Sequence, residues 1–154
     1  MLGLPSKTMR RLRVMALLHD IGKISLPVAI IRKPASLSSH ERELIMRHPE
    51  LGAKILEQWP DFAFCAPIVL AHHERFDGKG YPNHLKADQI PLEASIISVA
   101  EAYDDMISPR PYHKQISPSE AFVELKVNAE TQFNPNMVTA LIKVESKTPV
   151  HNNW

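Results

Sequence analysis

Residues Leu12 to Lys23 read LRVMALLHDIGK. Leu12, Met15, Ala16 and His19 recur at helical spacing, and Gly22 with Pro27 closes the segment, so His19 and Asp20 are expected near a helix's carboxyl end. An imidazole and a carboxylate at the end of an apolar stripe are costly to bury without partners. Further groups of the same kind follow beside apolar stretches: His48 in RHPELG, the run His72-His73-Glu74, and Asp77 to Pro82 in DGKGYP. Their recurrence points to one shared metal site rather than scattered polarity.

Working outward, helix signals repeat along the chain and strand patterns are nearly absent, so the fold is expected to be all-α with roughly six helices. Ser38 and Glu41 form a capping box with Leu44, Ile45 and His48 along one face, and Pro49 starts a fresh turn, which places His48 at a helix junction. Pro67 to Glu74 reads as a third helix delivering His72 and His73 near its end, and the glycine-rich DGKGYPNHL after it as loop. From Pro91 toward Ser108 a helix carries Ile96, Ala100, Tyr103 and Ile107 on one side and Glu101, Asp104 and Asp105 on a neighbouring one. Ser117, Pro118 and Glu120 open another helix, and Asn134-Pro135 a last one.

The 154 residues, 44% of them hydrophobic, suffice for one core, expected over residues 1–145, with 146–154 a disordered tail. Eighteen basic against seventeen acidic side chains leave a formal charge of +1, which excludes a broad basic field for duplex nucleic acid or an anionic membrane. No apolar run is long enough to cross a bilayer and no leader pattern opens the chain, so a cytoplasmic location is expected. The lone Cys65, within FAFCAPIVLA, reads as a small buried thiol rather than a nucleophile.

Neutral imidazoles with carboxylates suit first-row divalent metals, and an aspartate beside a histidine can bridge two ions. Two such ions are a standard solution for cutting a phosphodiester, and Lys23 stands where it can neutralise phosphate charge. Each piece also has an ordinary reading. A single helical histidine is commonly a packing residue, Glu101, Asp104 and Asp105 form an ordinary solvated acidic face, and Glu74 either orients an imidazole or is a solvated helix-end charge. In DGKGYP, Asp77-Gly78 favours a turn and Pro82 stiffens the exit around an outward Tyr81.

Taken in order, LLHDIGK, RHPELG, HHERFDGKGYP, IPLEASIISVAEAYDDM and RPYHKQIS resemble the HD-GYP family of metal-dependent phosphohydrolases, from about Leu12 to Pro135. The resemblance implies an all-helical domain with two divalent transition-metal ions, iron or manganese, that hydrolyses cyclic di-GMP to pGpG or GMP. By position, His19, Asp20, His48, His72 and His73 match the family's metal ligands, with Asp20 the bridging carboxylate and Glu101 in the place of a metal-binding aspartate. Lys23 matches the lysine beside the scissile phosphate, and Tyr81, Asp104 and Arg110 are assigned to the substrate. The signature loop implies a diguanylate cyclase domain as a partner.

The chain departs from the family at several positions. No histidine or glutamate precedes His19, where the family has a further ligand on a leading helix, so the domain is expected to be shortened at its N-terminus. His113 follows RPY in place of a lysine or arginine, and Asn134 replaces an aspartate while keeping the capacity to cap a helix. One ion is then expected to be tight and the other weak, and apolar surface left uncovered is expected to pair two subunits. Two further readings follow: an impaired module that binds cyclic di-GMP or a cyclase without cleaving, and a broader HD-type hydrolase of another phosphoester.

Overall fold

Ser38 Oγ accepts the Glu41 amide at 3.2 Å while Glu41 Oε2 accepts the Ser38 amide at 2.8 Å, so two of the amides a helix start leaves unpaired are satisfied reciprocally. Ser117 and Glu120 repeat the arrangement, and Asn134 caps with its side-chain oxygen 2.9 Å from the Asn136 amide. The computed structural model describes residues 2–109 and 115–147. Among them the helices are α1 (Ser6–Leu18), α2 (Val28–Ile31), α3 (Ser39–Ile45), α4 (His48–Glu57), α5 (Ala66–Ala71), α6 (Leu92–Ile107), α7 (Pro118–Val127) and α8 (Pro135–Glu145), with single 3-10 turns at Ile21–Ser25, Ala63–Cys65 and Ala87–Gln89. The only extended pairing among these residues is an isolated bridge between Ala129 and Phe133, so the fold is all-α. Arg110, His113, His151 and Trp154 lie outside the described residues.

There are more helices than the sequence pattern separates. The short α2 carries no cap signal, and the apolar stretch from Ser39 to Glu57 is two helices. Pro49 explains the break. It has no amide to give the Ile45 carbonyl, four residues back, and the imidazole of His48 takes that acceptor instead, Nδ1 to O at 2.8 Å.

Two apolar clusters make the interior. Met15, Leu56, Ile68, Val69 and Ile97 belong to the first, and Val99, Tyr103, Leu125, Phe133 and Val138 to the second. Helix α6 runs between them, burying Ala94 and Ile97 on one side and Val99 and Tyr103 on the other. Of the expected stripe of Ile96, Ala100, Tyr103 and Ile107, only Tyr103 is buried, Ile96 and Ile107 are half-buried and Ala100 is exposed, because a helix packed on two sides buries a different and wider arc, Ala94, Ser95, Ile97, Val99 and Tyr103. Cys65 is fully buried, and burial pushes its thiol up, away from nucleophilic character. Among the described residues no helix is long and apolar enough to cross a membrane.

A close glycine contact joins the chain after α1 to α4. A Cβ at Gly22 would overlap the His48 carbonyl and lie 2.6 Å from the Gly52 amide nitrogen. Only a residue without a side chain lets the Ile21–Ser25 turn lie on the start of α4, and that approach sets Asp20 beside His48. Gly22→Ala is expected to lower the unfolding free energy by about 1–3 kcal/mol through overpacking, measured by denaturant titration. An unchanged midpoint would mean that the turn moves aside freely.

Candidate metal centre

Five segments converge on one place: the end of α1 brings His19 and Asp20, the start of α4 brings His48, the exit of α5 brings His72 and His73, the loop after it brings Tyr81, and α6 brings Glu101. Ring centroids lie 5.1 Å apart for His48 and His72, 4.9 Å for His48 and His73, 4.1 Å for His72 and His73, and 5.3 Å for His19 and His72. His72 and His73 sit in a turn just beyond the last residue of α5, His72 still with helical backbone angles, and their rings nevertheless lie together.

Three of the four rings are fixed in the same manner. His19 Nδ1 is 2.7 Å from the Ala16 carbonyl, His48 Nδ1 is 2.8 Å from that of Ile45, and His72 Nδ1 is 2.5 Å from that of Val69. A carbonyl only accepts, so each Nδ1 carries the proton and, in the neutral ring, each Nε2 is a bare lone pair. Two of these lone-pair atoms, on His48 and His72, face each other at 3.1 Å. For His72 and His73 the surroundings favour the neutral ring. Burial, with the nearby imidazoles, pushes His72 down to about 3 and His73 down to about 4.

Asp20 stands between the rings. Among the described residues its Oδ1 is buried without a hydrogen-bond partner, 3.3 Å from His48 Nε2, while Oδ2 is 3.5 Å from His19 Nε2 and 2.5 Å from Lys23 Nζ. Burial works to raise this carboxyl, but His48 and Lys23 outweigh it and hold it ionised well below the ordinary range. Glu101 reaches the same region, its Oε1 3.7 Å from His19 Nε2. Burial opposes its charge too, and His19 brings its carboxyl below the ordinary range; Glu101 in return raises His19 against the effect of burial. Two donor groups result, His48-His72-His73 and His19-Asp20-Glu101, each with its ligand atoms within 4.8 Å of one another.

Lone pairs and an unpartnered carboxylate oxygen facing one another repel unless a cation lies among them, so this donor set fits divalent metal. The carbonyls on the far side of the rings are the outer partners that ligating histidines ordinarily have. The first group is the more enclosed: His48 and His72 are 1% and 0% exposed, against 34% for the Asp20 side chain and 23% for that of Glu101.

Beside the second group lies a cleft of about 510 Å³ lined by Arg13, His19, Asp20, Lys23, Glu101 and Asp104, among others. Asp104 is exposed, and its Oδ1 accepts the Ser108 hydroxyl at 3.0 Å. Arg13 is a cleft cation that the motifs do not mark, although residues 13, 16, 20 and 23 follow one face of the chain at steps of three and four.

The DGKGYP loop differs from its expected form. Tyr81 does not point outward: its ring stacks on His73 at 4.9 Å between centroids and 23° between planes. Glu74 is neither a solvated charge nor a partner of an imidazole. It is 3% exposed, and its two oxygens accept the amides of Asn83 at 2.7 Å and Leu85 at 3.0 Å, clamping the loop to the exit of α5. Asp77 is gripped by Arg75 through two bonds, 3.1 and 3.0 Å, which pulls its carboxyl down to about 2. Glu74→Ala is expected to release both amides. Hydrogen exchange at Asn83 and Leu85 should accelerate and the unfolding free energy fall by roughly 3–6 kcal/mol, the scale of two hydrogen bonds to a charged acceptor. Unaltered protection at these two amides would rule the clamp out.

Comparison with known proteins follows the same lines. Residues 1–137 match the family model for the HD domain. The chain is 37% identical over 148 residues to a cyclic di-GMP phosphodiesterase of Thermotoga maritima, covering 95% of this chain and 40% of that one. It is 38% identical over 144 residues to the cyclic di-GMP phosphodiesterase response regulator RpfG of Xanthomonas campestris, covering 92% of this chain and 38% of that one. A solved structure of a cyclic GMP-AMP specific phosphodiesterase of V. cholerae superposes with a TM-score of 0.72 at 20% identity, over 96% of this chain and 40% of that one. The chain thus spans about two-fifths of the length of these relatives.

Proposed function

Since the chain belongs to the HD domain family, we propose that it is an HD-GYP-type metal-dependent phosphodiesterase that hydrolyses cyclic di-GMP to a linear product, in the cytoplasm. One observation carries the reading: imidazoles from separate segments, each turned by its own backbone carbonyl, present Nε2 atoms to a common centre with Asp20 among them. His48, His72, His73 and Asp20 would hold one divalent transition metal, and His19, Asp20 and Glu101 a second, more weakly held one. Iron or manganese is the proposed metal, in keeping with mixed imidazole and carboxylate donors. Bound there, such metal supplies Lewis acidity, which draws charge from phosphoryl oxygens and makes water a usable nucleophile near neutral pH.

The chain's own residues do the rest. Lys23 lies at the edge of the cleft, where its ammonium can meet the charge that grows on the phosphate as the ester bond breaks. Arg13 adds a second cation on the same wall and steers an anionic ligand inward. Asp104 lines the cleft and would accept from a ligand's amide or amino edge, a contact suited to guanine. Asp20, held ionised, keeps its two oxygens toward the two donor groups. Arg110 is assigned to the phosphate or base on the sequence resemblance alone.

The alternative of a binding module that no longer cleaves rests on the departures at Glu101 and upstream of His19. Against it, the longer Glu101 side chain still comes to 3.7 Å of His19. A diguanylate cyclase domain docking on the signature loop would meet its exposed residues Lys79, Asn83, His84 and Lys86, and pairing of two copies is part of the same proposal. The test is turnover by anaerobically purified protein supplied with iron or manganese, with cyclic di-GMP and cyclic GMP-AMP offered side by side. Metal uptake with a linear product from cyclic di-GMP supports the proposal. Nucleotide binding without cleavage would favour the module, and preference for cyclic GMP-AMP would reassign the substrate.

A further inference from the structure

His73 differs from the other three histidines of the centre. His19, His48 and His72 each have a backbone carbonyl at Nδ1, and among the described residues His73 has none. What His73 has instead is Tyr81, stacked nearly parallel on its face, and the Tyr81 amide also donates to the His73 carbonyl at 3.3 Å. We propose that Tyr81 is a positioning residue for His73, so that the signature loop acts on the metal centre through the ring face of one of its ligands. This rests on the metal-centre reading above.

For the stack to orient His73, the loop must itself be held, and it is held on three sides. Glu74 binds the amides of Asn83 and Leu85. The Phe76 and Asp77 amides donate to the carbonyls of Gln132 and Thr131 at 3.1 and 2.8 Å, tying the loop to the segment before α8. Gly80, next to Tyr81, lies so close to Glu74 and Arg75 that a Cβ there would overlap their backbone. The run Gly80-Tyr81 is thereby pressed against the exit of α5, and the tyrosine ring has the His73 face as its support. Burial first, and then the charges of Glu101 and Asp20, push the Tyr81 hydroxyl up to about 12, so the phenol stays protonated and serves as a neutral aromatic wall. A flat ring restrains an imidazole about as a carbonyl does, by permitting few orientations, but leaves Nδ1 without an acceptor.

Cobalt(II) tests the assignment, because its visible spectrum reports the coordination of the site and its affinity is measured by competition with a chelator. Tyr81→Leu is expected to weaken the first cobalt equivalent by roughly 10–100-fold, the range seen when an outer partner of a ligating histidine is lost, and to change the shape of the spectrum. Tyr81→Phe, which keeps the ring, should behave as the parent chain. In a His73→Ala background, where there is no imidazole to position, Tyr81→Leu should cost nothing further. Should Tyr81→Leu fail to fold, the parent chain carries the test: cobalt should perturb the near-ultraviolet circular dichroism of tyrosine, and that change should vanish in Tyr81→Phe and in His73→Ala. Equal affinity and spectrum in Tyr81→Leu, or a full additional loss in the His73→Ala background, would overturn the positioning role alone. A parent chain that takes up no cobalt would overturn the metal reading and the inference with it.

Discussion

Asp20→Ala is expected to leave the purified chain without bound metal and without turnover. The effect should exceed the roughly 10–100-fold loss that follows removal of an outer hydrogen-bond partner, because among the described residues Asp20 is the one carboxylate whose oxygens reach both donor groups. Oδ1 is 3.3 Å from His48 Nε2 and Oδ2 is 3.5 Å from His19 Nε2. Removing it strips a negative charge from each group at once and leaves neutral imidazoles facing one another across 3.1 Å. Metal content by elemental analysis and turnover of cyclic di-GMP should therefore fall together. Retention of full metal occupancy would remove Asp20 from the bridge.

Lys23→Met separates holding metal from using it. The ammonium is 2.5 Å from Asp20 Oδ2 and faces the cleft, where it can meet charge that develops during bond cleavage. Metal content is expected to stay near that of the parent while kcat drops by about 10²–10³-fold, the scale for removal of one group that stabilises a developing oxyanion. A change confined to KM would instead make Lys23 a binding group, acting equally on substrate and transition state.

The sequence exposes what is settled locally and conceals what depends on the backbone of distant segments. Ser38 with Glu41 and Ser117 with Glu120 are legible because a capping box closes over three residues. His48 at a junction is legible because Pro49 cannot continue a helix. Other features escape. Glu74 looks like a helix-end charge because its partners are main-chain amides nine and eleven residues away, and amides have no signature in a sequence. Tyr81 looks outward because glycines flanking a turn favour exposure, and only the near-contact of Gly80 with Glu74 and Arg75 turns it in. Arg13 carries no motif and is found by the face it shares with Asp20 and Lys23.

The carbonyls of Ala16, Ile45 and Val69 belong to the closing turns of α1, α3 and α5, where the helical pattern leaves acceptors unclaimed. The imidazoles that claim them finish the helices with the same bond that aims the rings. Loading of a chelator-stripped chain is therefore expected to be docking onto a largely completed scaffold, with a small heat-capacity change by titration calorimetry, unlike a zinc finger, which has no fold until its ion arrives.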